Sequence, residues 1–168
     1  MREVVIKALL VDPSNNTPVV LLKDRASRQA MPIWIGEGEA TAIAFGLQSE
    51  DFPRPLTHVL MTRVIEGLKA SVDRVIIKSY EDTTYYASVL LRDVNGEVLE
   101  YDARASDSLA LSLRAGCPIF VAEEVFDGSA IESPFADEED FHDFVESDLD
   151  LDVFRKLSGG KRKDEEEH

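Results

Sequence analysis

The sequence predicts a single α+β domain whose sheets are mixed or mostly antiparallel and are built from a duplicated β-β-β-α unit. Two observations lead to this prediction. Sets of three strand-like segments followed by a helical pattern occur twice along the chain, although the two halves barely match residue by residue. Most strands are joined by turn-forming segments, which favours hairpins over a doubly wound parallel sheet.

The first unit contains three predicted strands, EVVIKALLVD (3–12), VVLLKD (19–24) and MPIWI (31–35). DPSNNTP (12–18), which is dense in turn formers, joins the first two as a hairpin.

Two helices are predicted next. In GEGEATAIAFGLQSED (36–51), the apolar residues that recur on one helical face are Ala40, Ile43, Ala44 and Leu47. Pro53 and Pro55 end this helix. A second helix is predicted from about Thr57 to Leu68, and the residues on one of its faces are Leu60, Met61, Val64, Ile65 and Leu68.

The second unit repeats the order with strands at 71–82, 83–93 and 97–103, and Asn95-Gly96 forms the hairpin turn between the last two. A third helix is predicted in SDSLALSLRAG (106–116), with Ser106 as its N-cap and Gly116 just after its end. CPIFVAEEVF (117–126) is predicted as a final short strand.

Composition excludes several classes of protein. The single cysteine, Cys117, rules out an internal disulfide or a cysteine-based zinc cluster, and we expect it to be a buried core thiol. No apolar run approaches the roughly 20 residues of a membrane helix, and the N-terminus shows no signal-peptide pattern. We therefore expect a cytoplasmic protein with no membrane association.

The net charge of −15 is unevenly distributed. Residues 136–168 hold 13 acidic and 5 basic residues, whereas residues 1–135 hold 20 and 13. No stretch is strongly basic, so binding to nucleic acid would require a local arginine cluster or bridging metal ions.

We predict a core domain at 1–127, an acidic amphipathic extension at 128–157 with Phe141, Phe144 and Val145 on one helical face, and a disordered tail at 158–168.

Acidic residues follow the end of a strand in both halves of the chain. WIGEGEA provides Glu37 and Glu39, and YDARASDS provides Asp102 and Asp107. If duplication brings the two junctions together, these four carboxylates could hold Mg²⁺ or Mn²⁺. The alternative is that Glu37, Glu39 and Asp107 only favour the positive end of a helix dipole. Asp102 would then pair with Arg104 or cap backbone N–H groups.

A third candidate segment, FPRPLTH, holds Arg54 between two prolines and places His58 at the start of a helix. A rigid arginine suits phosphate binding, and a histidine can act as an acid, a base or a metal ligand. The alternative is that Arg54 is an exposed arginine in an ion pair and that His58 is an ordinary surface histidine.

Four segments together resemble the bifunctional nuclease domain family over about residues 2–126: MPIWIGEGEATAIAFGLQ, RPLTHVLMTRVIEGLKASVDRVIIK, YYASVLLRD and EYDARASDSLALSLRAGCPIFVAEEV. The residues that match the family motifs are Trp34, Gly36, Glu37, Glu39, Arg54, Pro55, Thr57, His58, Asp102, Arg104, Ser106 and Asp107. The resemblance implies degradation of RNA and DNA, as described for plant members. Some relatives carry a C-terminal UvrB/UvrC-type hairpin, and this chain has the acidic tail instead.

Two hypotheses follow for the function. In the first, the chain is a metal-assisted nuclease with His58, Asp102 and Glu37 as catalytic residues. Its phosphate-binding residues would be Arg54 and Arg104, and its ligands to Mg²⁺ or Mn²⁺ would be Glu37, Glu39, Asp102 and Asp107. In the second, the domain is a non-enzymatic module that binds a protein or a small anion. We expect a homo-oligomer, and a protein partner for the acidic tail.

Overall fold

Eight strands form one mixed sheet in the computed structural model, which describes residues 1–132. The strands are β1 (Arg2–Asp12), β2 (Thr17–Asp24), β3 (Gln29–Trp34), β4 (Ser71–Glu81), β5 (Thr84–Arg92), β6 (Val98–Arg104), β7 (Ile119–Val121) and β8 (Ile131–Glu132). The four helices of the described residues are α1 (Glu37–Leu47), α2 (Thr57–Gly67), α3 (Ala105–Ala115) and α4 (Glu123–Ser129). The predicted α+β class is confirmed.

The sheet order β6-β5-β4-β7-β1-β2-β3-β8 displays the predicted duplication. Strands β1, β2 and β3 form an antiparallel meander on one side of β7, and β4, β5 and β6 form another on its other side. Strand β7 runs parallel to β4 and antiparallel to β1. Helix α1 follows the first meander and α3 follows the second. Of the predicted acidic extension at 128–157, residues 128–132 lie at the end of α4 and in β8. The rest of it, and the predicted disordered tail at 158–168, lie outside the described residues.

Both predicted hairpin turns are confirmed, and short polar side chains stabilise them. Between β1 and β2, the Asp12 carboxylate accepts the backbone N–H of Ser14 at 2.9 Å. Between β5 and β6, the Asp93 carboxylate accepts two backbone N–H groups at 2.8 Å. Gly96 closes that turn at φ +85°, in the left-handed region that glycine enters without strain.

Helices α1 and α3 pack against each other and against one face of the sheet. Helix α1 is buried nearly all round, from Ala40 to Phe45, rather than along the single predicted face. A side chain at Gly46 would place its Cβ 3.1 Å from Leu113 of α3, so a glycine permits the close approach of the two helices. This packing sets the relative positions of the first turns of α1 and α3.

Helix α2 lies at the position predicted, but most of its apolar face points away from the domain. Ile65 is buried, whereas Leu60, Met61, Val64 and Leu68 are exposed. Periodicity identifies which residues share a face, and it does not say whether a neighbouring element covers that face.

Two predictions about the second half of the chain are wrong. Only Ile119–Val121 of the predicted strand 117–126 is extended, because the carboxylates of Glu123 and Glu124 favour the first turn of α4. Arg104, rather than Ser106, occupies the N-cap position of α3, and Ser106 lies within the helix. The prediction for Gly116 is confirmed, since it ends α3 at φ +67°.

Cys117 is half-buried and packs against the main core. Burial raises the pKa of its thiol to about 11, so the thiolate is scarce at neutral pH. Within residues 1–132, no helix combines the length and apolar character needed to cross a membrane.

Candidate functional site

The first turns of α1, α2 and α3 surround a pocket of about 420 Å³. Its lining residues are Glu37, Gly38, Glu39, Thr41, Ala42, Leu56, Thr57, His58, Arg104 and Asp107. Each helix begins directly after a strand or after the proline-containing link, so the residues that start the helices come together. The two strand-to-helix junctions singled out in the sequence therefore do meet, and the start of α2 joins them.

Arg104 connects the two junctions. Its Nε donates to Asp107 Oδ2 at 2.7 Å, and its Nη2 donates to Glu39 Oε1 at 2.5 Å. The hydrogen bond with Asp107, together with the negative charges of Asp107 and Glu39, raises the pKa of Arg104 above its ordinary value. The Arg104 side chain is 69% exposed, so a ligand in the pocket could reach the guanidinium.

Asp107 also pairs with His58. The two side chains meet at 3.0 Å between His58 Nε2 and Asp107 Oδ1, and His58 is buried. Burial acts to raise the pKa of Asp107, but hydrogen bonds from Arg104 and His58 outweigh it and hold that pKa below its ordinary value. Asp107 is therefore a carboxylate that orients both a histidine and an arginine.

The glycine before α1 makes room for Glu39. Gly36 is the N-cap residue, and a Cβ at this position would lie 2.7 Å from Glu39 Oε2. One turn into the helix, Thr41 Oγ1 donates to the carbonyl oxygen of Glu37 at 2.9 Å. Gly36 thus permits a close approach, and the carboxylate three residues later uses the space.

Two predicted site residues, Arg54 and Asp102, do not line the pocket. Arg54 is exposed in the link before α2, and Asp102 is exposed on β6 opposite Ser88.

Trp34 ends β3, where its Nε1–H donates to Asp12 at 2.9 Å. Sequence reasoning missed Thr41, Ala42 and Leu56, for which spacing gave no chemical signal.

A divalent ion such as Mg²⁺ requires several oxygen ligands that converge on one point. Glu39 and Asp107 each give an oxygen to Arg104. In the described part of the chain, no three His, Cys, Asp or Glu side chains are grouped so that they could hold a metal ion. In this arrangement the carboxylates fit an arginine better than a metal ion, since a divalent ion would have to displace the guanidinium.

Comparison with known proteins agrees with the motifs. The sequence profile of a family described as the bifunctional nuclease domain matches residues 20–134. Two relatives from strains of Mycobacterium tuberculosis, the uncharacterized proteins MT1877 (CDC 1551 / Oshkosh) and Rv1829 (ATCC 25618 / H37Rv), are each 36% identical over 157 residues. The alignment covers 94% of this chain and 93% of each relative. The pocket residues all lie within the matched region.

Proposed function

Because this chain belongs to the bifunctional nuclease domain family, we propose that it is a nuclease that hydrolyses RNA or DNA at the pocket between α1, α2 and α3. One observation carries the proposal: His58, Asp107 and Arg104 form a connected set in one pocket. This set combines a group that transfers protons with a group that binds phosphate, and phosphodiester hydrolysis needs both.

His58 is the proton-transfer residue of the proposal. Its Nε2–H donates to Asp107, which leaves Nδ1 as the acceptor for a proton. Nδ1 takes the proton of the attacking oxygen as the new phosphorus–oxygen bond forms. The bond to the leaving oxygen then breaks, and that oxygen takes the proton from Nδ1, which returns His58 to its starting state.

Arg104 is the phosphate-binding residue. Two of its five N–H donors are used by the neighbouring carboxylates, and the others are available to a phosphate oxygen. Arg54 and Asp102 have no part in the proposal, because neither lines the pocket.

Charge decides whether the reaction needs a further cation. Glu37, Glu39 and Asp107 face the pocket against the single guanidinium of Arg104. A phosphodiester would meet repulsion there, and Mg²⁺ or Mn²⁺ could offset it only if Arg104 released the two acids.

The test is cleavage of labelled single-stranded RNA and DNA by the full chain, with added Mg²⁺, with added Mn²⁺ and with a chelator. His58→Asn should lower the rate about 10²–10⁴-fold, the range for loss of a general acid or base. Arg104→Gln should also lower it strongly, and Arg54→Gln and Asp102→Asn serve as matched controls outside the pocket. Equal rates for His58→Asn and the parent would assign the cleavage to another site or to a contaminant.

A second candidate is a non-enzymatic, oligomeric module that binds a protein or a small anion. The two ion pairs of Arg104 favour it, because they occupy the carboxylates of Glu39 and Asp107, and the pair with Glu39 joins α1 to α3. The full chain would then show no cleavage, and Mn²⁺ would leave its melting temperature unchanged. A rise of several degrees with Mn²⁺ would argue against this candidate, since a ligand that binds the folded state stabilises it.

A further inference from the structure

The exposed face of α2 is the largest apolar feature of the described helices without a covering element. Leu60, Met61, Val64 and Leu68 are 53%, 43%, 51% and 73% exposed. Their spacing places them on one stripe with Thr57, which lines the pocket. The stripe, named here the α2 stripe, therefore starts at the pocket mouth and runs along the helix. A contiguous exposed apolar surface of this kind is typical of a binding site.

Basic residues outnumber acidic ones in the segment that carries the α2 stripe, although the whole chain is acidic. Residues 52–70 contain Arg54, Arg63 and Lys69 against Glu66, while the whole chain has a net charge of −15. All three basic side chains are exposed, and none pairs with an acidic side chain of residues 1–132. The surface thus fits a partner that is both apolar and acidic.

One segment of this chain has that chemistry. Residues 134–157 contain 9 acidic and 2 basic residues. They also contain nine large apolar residues, namely Phe135, Phe141, Phe144, Val145, Leu149, Leu151, Val153, Phe154 and Leu157. From Glu132 at the end of β8, the nine residues to Phe141 can span up to about 30 Å, which is about the diameter of a small domain.

We propose that the segment 134–157 of this chain binds the α2 stripe, with Phe141 and Phe144 on the apolar residues and its carboxylates beside Arg54, Arg63 and Lys69. A tethered segment is present at an effective concentration in the millimolar range, which favours it over a free partner.

The test measures the reactivity of a thiol placed on the stripe in the full chain. The labelling rate of Leu60→Cys shows whether the stripe is covered. The matched control is Val98→Cys on β6, since Val98 is 40% exposed. The native Cys117 gives a low background, because it is half-buried and the pKa of its thiol is about 11. Val64→Cys provides a second reporter, so that one poorly folded variant does not decide the result.

Maleimide should label Leu60→Cys at least several-fold more slowly than it labels the same variant carrying Phe141→Ser and Phe144→Ser. High salt should also speed its labelling, and neither change should affect Val98→Cys. Equal rates with and without the phenylalanines at both reporters would overturn the proposal. If labelling of the stripe became slower as the protein concentration increased, a second copy would be covering the stripe, and the proposal would again be overturned. Cleavage assays play no part, so a failed nuclease assay would leave this result standing.

Discussion

Arg104 and Glu39 lie 65 residues apart in the chain, and their side chains form an ion pair that joins the start of α3 to the first turn of α1. The same guanidinium binds Asp107, which in turn holds His58 at the start of α2. One arginine thus connects the three helix starts around the pocket.

Replacing Arg104 with Gln should lower the free energy of unfolding by about 1 kcal/mol, a modest value because the guanidinium is largely solvated. Urea unfolding at neutral pH measures the change. Arg25→Gln is the control, since Arg25 and Glu3 form a pair in which both partners are well exposed. An equal effect of the two substitutions would mean that Arg104 does not connect the helices energetically.

The Arg104→Gln variant should also respond more strongly to Mn²⁺ than the parent does. Without the guanidinium, Glu39 and Asp107 are free to bind a cation, so Mn²⁺ should raise the melting temperature of the variant more. Thermal unfolding with and without Mn²⁺ measures this. The same shift in both proteins would show that Arg104 does not compete with the metal.

Gly36→Ala should displace the carboxylate of Glu39 from Arg104, because the new Cβ would lie 2.7 Å from Glu39 Oε2. The carboxylate is the end of a flexible side chain, so the fold should survive. In a double-mutant cycle, Glu39→Gln should then add little to Gly36→Ala. Gly38→Ala is the control, since open space surrounds that position and its effect should be additive with Glu39→Gln.

Asp107 should contribute to the acid sensitivity of the fold. Its folded pKa is lowered by Arg104 and His58, so it stabilises the fold above its unfolded pKa of about 3.9 and this contribution is lost as the pH falls through the folded value. Asp107→Asn should therefore lose less stability than the parent between about pH 5 and pH 3. Asp102→Asn, an exposed aspartate outside the pocket, is the control. Parallel pH profiles for Asp107→Asn and the parent would contradict the prediction.

Gly46→Val should destabilise the protein by about 1–3 kcal/mol, the usual range for overpacking. A Cβ at Gly46 already comes within 3.1 Å of Leu113, and two further methyl groups would separate α1 from α3. Leu113→Ala should recover part of the loss by providing space. Gly67→Val in α2, where nothing lies within 4 Å, controls for the change in helix propensity. A fully additive double mutant would show that the two positions do not contact each other.

Local patterns were sufficient for most elements of the fold. Strand alternation, the turn residues of both hairpins and the helical spacing in α1 and α3 each act over a few residues, and the predicted positions agree with the structure to within a few residues. The wrong predictions concern competition between local signals. In 117–126 the β-like apolar residues suggested a strand, but two glutamates at a helix start favoured α4 instead.

The candidate site was predicted in part. Glu37, Glu39, His58, Arg104 and Asp107 line one pocket, whereas Arg54 and Asp102 lie outside it. Spacing could not separate these two groups. Asp102 and Arg104 are only two residues apart, yet Asp102 sits in an edge strand and Arg104 occupies the N-cap position of α3.

The sequence by itself determined the α+β class, the duplicated order of elements and the motif residues that identify the family, because each depends on residue type and short-range spacing. Only the tertiary structure decided which charges meet. Arg104 pairs with Glu39 in a fold where α1 and α3 approach each other at Gly46 and Leu113. The two paired residues are 65 positions apart in the sequence, and no local pattern predicts that such distant residues are in contact. For the same reason the exposure of the α2 stripe became visible only when the elements around it were in place.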